Sequence, residues 1–202
     1  MTTAAPVPTP AAGPRERMVR SAMALICRQG VSGTGLREVV AHAAAPRGSL
    51  QHYFPGGKEQ LVGEALALAG ATASRTVGRL TEAGAAFGPG DVVAAMVGAW
   101  RRWLAETDYA QGCPVLATVA DATVGSGALR MATADAFAAW QAGVEAALRQ
   151  AGVPAERSPG LAVLLISALE GAIVLARSRR SLGPLDDVQR ELTPLVDGAV
   201  QA

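Results

Sequence analysis

The chain has 202 residues and a mass of 20.5 kDa, which bounds it to one or two compact domains with enough length to bury a core. Half of it is apolar, yet forty-three residues are alanine and eight are aromatic. Alternating β-branched runs are scarce, so thin, closely packed helices are favoured over sheets. With 17% charged residues and a net charge of +1, a strongly charged disordered chain and a polybasic coat protein are both excluded.

Residues 1–13 (MTTAAPVPTPAAG) hold no Lys or Arg. They lack the basic start of a signal peptide and read as a flexible tail. Over 15–29, Met18, Ala22, Leu25, Ile26 and Gln29 recur at helical spacing, and Gly30 offers a stop. After a loop over 31–35, Leu36, Val39, Val40 and Ala43 predict a two-turn helix started by Gly35 or Thr34. Pro46 forces Ala45 into extended geometry, which ends that helix near 43–44. Proline also suits a first helical position, so a third helix is predicted from Pro46 to about Tyr53, with Leu50 and Phe54 facing the core. Pro55-Gly56-Gly57 terminates it. Two short helices joined by a tight turn make a helix-turn-helix pattern.

Further along, a helix is predicted over 58–85. Another, capped by Asp91, runs to about Thr107, and a shorter one covers 112–123. The remaining helices are predicted at about 127–151, 158–180 and 185–199, the first broken by Gly152-Val153-Pro154 and the second by Gly183-Pro184. The stretch 161–176 is apolar for 16 residues but contains Glu170. A membrane span needs about 20, so a buried core helix and no membrane segment are expected.

Charge is unevenly placed. Residues 1–60 carry seven basic and three acidic side chains, a net +4, while the remainder is −3. A basic block on a mildly acidic body suggests that this end meets a polyanion. The segment PRGSLQHYF at 46–54 sets Arg47, Ser49, Gln51, His52 and Tyr53 on a helix of barely two turns. Arg pairs with guanine edges and Gln with adenine. Ser, His and Tyr suit phosphate oxygens, and Gly48 lets the backbone approach a duplex. Lys58 falls in the first turn of the next helix, where the macrodipole disfavours a cation. That placement makes sense if an anion binds there through free N–H groups, with Gly56 and Gly57 leaving room. Thr34 and Arg37, at the start of the second helix, complete the candidate DNA-binding set.

The stretch 15–62, with LREVVAHA, AAPRGSLQHYF and PGGKEQLV, resembles the DNA-binding domain of tetracycline-repressor (TetR) family regulators. GCPVLATVAD at 112–121 and ALEGAIVLARSRRSLGPLDDVQREL at 168–192 are similar to the LmrA/YxaF-like branch. The resemblance implies an all-α chain. A helix-turn-helix domain over 14–57 would bind double-stranded operator DNA. A helical domain over 58–202 would bind a small-molecule inducer and pair two copies through the last two helices. Two positions depart from the pattern. Ala44 stands where the family usually has Gly in the turn, and Gln51 where it usually has Tyr in the recognition helix. Gln51 is therefore expected to read a base.

The bulky side chains of the central helices, Met96, Trp100, Trp103, Cys113, Leu116, Phe137 and Trp140, suit either an apolar ligand pocket or a simple core. Glu170, a carboxylate in an apolar helix, needs a cationic ligand, a partner such as Arg177 or Arg130, or solvent. Cys27 and Cys113 lie far apart, without CxxC or Cys/His metal spacing. No disulfide framework, metal or cofactor is expected, and the usage fits a reducing cytoplasm. No nucleophile elbow, phosphate loop or HExxH occurs, so the chain reads as a regulator rather than an enzyme. The rival reading is a helical small-molecule-binding or scaffold protein without DNA binding.

Overall fold

A computed structural model describes residues 13–46, 48–82 and 86–200. Residues 1–12 of the tail expected over 1–13, Arg47, and the 83–85 end of the helix predicted over 58–85 lie outside the described residues. Among the described residues the secondary structure is helical, without strands. The helices are α1 (Pro14–Gly33), α2 (Leu36–His42), α3 (Ser49–Tyr53), α4 (Gly57–Glu82), α5 (Pro89–Glu106), α6 (Pro114–Ala122), α7 (Gly127–Gln150), α8 (Ser158–Arg179) and α9 (Gly183–Asp197), with a 3-10 turn at Gly198–Val200. Proline occupies the first turn of α1, α5, α6, α8 and α9, where its missing N–H has no helical partner to lose.

Three boundaries differ from the sequence expectation. Helix α1 does not stop at Gly30. That residue breaks the helix at φ 73°, ψ 176°, and the chain then resumes for one more turn to Gly33. Helix α3 starts at Ser49 rather than Pro46, because the Ser49 amide and hydroxyl both donate to the Pro46 carbonyl (3.0 and 2.7 Å) ahead of the helix. Asp91 is not the cap of α5. Gly88 is the N-cap, and Asp91 reaches back from the third position to accept its amide at 2.8 Å, which satisfies one orphan donor of the first turn.

The chain divides into two compact units. One joins the described residues of Met1–Gly70 to Cys113–Phe137. In it α1 packs along α6 and against α2, around a core that includes Met18, Ile26, Val39, Phe54, Leu61 and Leu66. Helices α4 and α7 approach closely here: a Cβ on Gly70 would lie 2.6 Å from the Ala136 carbonyl oxygen.

The other unit joins Ala71–Gly112 to the described residues of Ala138–Ala202. Helices α5, α8 and α9 pack together, with Leu104, Leu148, Leu165, Leu169, Ile173 and Leu185 fully buried. An ion pair between Arg101 and Asp186 ties α5 to α9, as does the Gly90 amide donating to Asp197 at 2.8 Å. Helix α8 is long and apolar enough to cross a membrane. Half of that stretch is buried, and its acidic residue Glu170 is among the buried ones, as a core helix requires.

Candidate nucleic-acid interface

The turn between α2 and α3 sets the geometry of the candidate site. Helix α2 ends in a Schellman arrangement: the Ala44 amide donates to the Ala41 carbonyl and the Ala45 amide to the Val40 carbonyl, each at 3.1 Å. This closure needs a left-handed residue, usually Gly. Here Ala44 takes it, at φ 46°. The Arg17 guanidinium from α1 donates to the carbonyls of Ala43 (2.9 Å) and Ala44 (3.3 Å) and fastens the same turn. His42 Nδ1 and Ser21 Oγ, 2.9 Å apart in a hydrogen bond, hold α2 to α1 a little earlier.

Helix α3 buries none of its five residues. Its anchor is the next one, Phe54, which is fully buried with the Arg15 guanidinium 5.6 Å above its ring. That leaves Gly48, Gln51 and His52 exposed, with Ser49, Leu50 and Tyr53 half-buried. The His52 and Tyr53 rings meet edge-to-face with centroids 4.8 Å apart. Arg37 on α2 is exposed as well. It borders an open groove of about 730 Å³ between α2 and α3, whose other walls are Leu36, Val40, Ala41, Ala44, Ala45 and Leu50.

Two members of the expected set are placed differently from the others. Thr34 is 3% exposed, and its hydroxyl donates to the Gly30 carbonyl at 2.7 Å, so its side chain shapes the α1–α2 turn. The Ser49 hydroxyl hydrogen is directed to Pro46. Lys58 is half-buried in the first turn of α4. It lies within electrostatic reach of Asp121 at the end of α6. The Ser32 amide, then the Ser32 hydroxyl, hold the Asp121 carboxyl below the usual aspartate range. Desolvation opposes them less strongly, and the Val31 amide and the Lys58 charge add smaller effects in the lowering direction.

The Asp121–Ser32 contact was not expected from the sequence. It joins residues 89 positions apart: Asp121 closes the GCPVLATVAD stretch at 112–121, but nothing in the sequence pairs it with Ser32. The Arg17 staple is similar: the arginine was counted as part of a basic block, not as a partner for two carbonyls.

The expected ligand-lining residues fall in both units. Met96, Trp100, Trp103, Trp140 and Glu170 belong to the second, and Cys113, Leu116 and Phe137 to the first. Met96, Cys113, Trp140 and Glu170 are buried, while Trp100, Trp103, Leu116 and Phe137 are half-buried. Met96 borders a cavity among α5, α8 and α9 of about 10 Å³, near the lower limit for one water. Arg177 lies in the last turn of α8. Its guanidinium donates to the carbonyls of Tyr109 (3.3 Å) and Ala110 (3.1 Å), in a loop where Asp108 and Tyr109 are both left-handed.

A model of the tetR family of bacterial regulatory proteins matches residues 19–65. A model of the C-terminal domain of LmrA/YxaF-like transcriptional regulators matches residues 89–191. An HTH-type transcriptional regulator of Mycobacterium tuberculosis is 41% identical over 189 residues, covering 91% of this chain and 94% of its own. The HTH-type transcriptional regulator LmrA of Bacillus subtilis is 30% identical over 171 residues, covering 85% and 90%. In fold, the chain is similar to the regulatory protein TetR from Rhodobacter sphaeroides (TM-score 0.76, 20% identity, covering 89% of this chain and 96% of that one). It is also similar to a TetR transcriptional regulator from Chloroflexus aurantiacus (TM-score 0.70, 26% identity, covering 91% and 93%). The helix-turn-helix seen in the geometry and the relatives that share it over most of their length agree: the chain belongs to the tetR family of bacterial transcriptional regulators, in its LmrA/YxaF-like group.

Proposed function

We propose that the chain is a ligand-responsive regulator, a repressor that a small molecule releases from its operator, acting as a homodimer in the cytoplasm. The observation that carries the DNA-reading half is α3: Gln51 and His52 face outward while Phe54 is buried as its anchor. On this reading residues 14–57 form the head and 58–202 the body. Arg37, Arg47, Gly48, Ser49, Gln51, His52, Tyr53 and Lys58 meet the duplex, and Thr34 sets the turn behind them. Gln51 reads a base edge and Lys58 a phosphate.

Two heads of a symmetric pair read half-sites about 34–36 Å apart on one side of the duplex. A pair neutralising about 6–10 phosphates loses roughly 10³–10⁵ in affinity between 50 and 200 mM salt. Pairing is supported by the outer face of α8. Val163, Leu164, Val174 and Leu175 there are each more than 40% exposed, as is Leu195 on α9. A contiguous face of large aliphatic side chains marks an interaction surface. Release by a ligand held within the second unit, among Met96, Trp100, Trp103, Trp140 and Glu170, requires about 5.5 kcal/mol of differential binding to carry a 1:99 balance to 99:1.

The test starts from duplexes that the wild-type protein selects from a random pool. Gln51→Ala is expected to change which base is preferred at one position of each half-site. Lys58→Ala is expected to weaken all sequences alike and flatten the salt dependence by about one phosphate per head. A protein that selects no sequence and shows no salt-dependent mobility shift would instead be a helical binding or scaffold protein.

A further inference from the structure

Within the recognition pair, α2 is anchored on α1 through buried Val39 and Val40 and the His42–Ser21 bond, whereas α3 contributes little to holding itself in place. Helix α2 has no side-chain cap at its start, and α3 buries nothing along its length. Beyond the contacts of α2 with α1, the Arg17 staple and the Phe54 anchor, the orientation of the pair also depends on the segments that enter and leave it, 30–34 before and 57–59 after. Both are held by one short corner, the end of α6 and the turn into α7.

At the entrance, the Asp121 carboxylate accepts the Ser32 amide on Oδ2 (2.6 Å) and the Ser32 hydroxyl on Oδ1 (2.7 Å). These are charge-assisted bonds at the short end of their range. Gly30 makes the approach possible, since a Cβ there would stand 2.8 Å from Oδ2. The Thr34 hydroxyl then closes the same turn on the Gly30 carbonyl, one residue before the N-cap of α2. At the exit, the Ser126 hydroxyl donates to Glu59 in the first turn of α4 at 2.5 Å and accepts the Leu129 amide at 3.1 Å. Ser126 thereby caps α7 and grips α4 with one oxygen.

We propose that this corner, through Asp121 at the entrance and Ser126 at the exit, positions the DNA-reading helices, so that Asp121 and Ser126 are specificity-supporting residues that themselves touch no base. The proposal rests on the DNA-reading role of α3. Simple electrostatics predicts the opposite effect for Asp121. It is an exposed negative charge near Lys58, and its removal alone would tighten the binding of any duplex. A positioning role predicts that its removal loosens the selected duplex and leaves a scrambled one unharmed.

The experiment measures affinities of the full chain for a duplex selected by the wild type and for a scrambled duplex of the same length, at one salt concentration. The variants are Asp121→Ala, Ser32→Ala, their double, and Ser126→Ala. The expected result is a drop of about tenfold in the selected-to-scrambled ratio for each single variant, with the Asp121/Ser32 double within about twofold of its worse parent. Amide exchange over 31–36 is expected to quicken in Asp121→Ala while helix content is unchanged. Ratios within about twofold of wild type in both Asp121→Ala and Ser32→Ala, or a rise in affinity for both duplexes alike, would overturn the positioning role. A wild type that selects no sequence would overturn the DNA-reading role itself, a distinct result.

Discussion

Ala44 holds a left-handed backbone at φ 46° because the Schellman closure of α2 demands it, and a Cβ in that region costs about 1–2 kcal/mol. Ala44→Gly removes that cost, offset in part by the extra freedom glycine has when unfolded. The expected outcome is a gain of about 1 kcal/mol, seen as a melting temperature higher by about 2–4 °C for a chain of this size. Asp121 gives a pH-dependent effect. Its carboxyl is held below the usual aspartate range, first by the Ser32 amide. A depressed value stabilises the fold above the unfolded aspartate value, about 3.9, and the contribution is lost as pH falls through the folded one. The difference in melting temperature between wild type and Asp121→Asn is therefore expected in full at neutral pH, to shrink as pH falls below the unfolded value of about 4, and to close only once pH has passed the still lower folded value, where both side chains are neutral. A difference that persists at low pH would place the effect in packing instead of charge.

Among the elements, α4 and α7 are the most tightly constrained. At Gly70 a Cβ would meet the backbone oxygen of Ala136, which is not a flexible side chain that can swing aside. Gly70→Ala is expected to cost about 1–3 kcal/mol, read as a lower urea midpoint with unchanged slope. The helices themselves were legible because Gly and Pro punctuate them and apolar residues recur at helical spacing. Most boundaries fall within a few residues of expectation on those signals alone. The beginning of α3 was not, because a proline at 46 fits a first helical turn and a tight turn equally well. Its side chains do not say that Ser49 will bond back to Pro46. Nor were the Asp121 and Arg17 contacts legible. Each depends on which helices pack together, and periodicity is silent on that. The exposed residues Gln51 and His52 were readable from the pattern, whereas the inward turn of Thr34 was not.

At the scale of the whole molecule, the outer face of α8 is the feature that an isolated subunit leaves unsatisfied. Leu164→Arg, at a residue 41% exposed, puts a charge on that face without entering the core. On the proposed pairing it is expected to give a folded monomer by light scattering. Operator affinity would then fall by more than a hundredfold, because the two half-sites would no longer be held together. An unchanged dimer would move the interface elsewhere. The helices proposed to pair lie late in the chain, at Ser158–Arg179 and Gly183–Asp197, so that on this reading the head has been synthesised and has had time to fold before pairing. Partners would thus be chosen among finished chains, with no bias toward siblings from one ribosome. In a cell carrying two equally expressed alleles, a copy with a ruined α3 and an intact α8 would mix freely with normal copies and disarm about half of them, leaving about a quarter of the dimers intact, so such a lesion would be genetically dominant. A lesion that also destroys α8 would be silent beside a working allele.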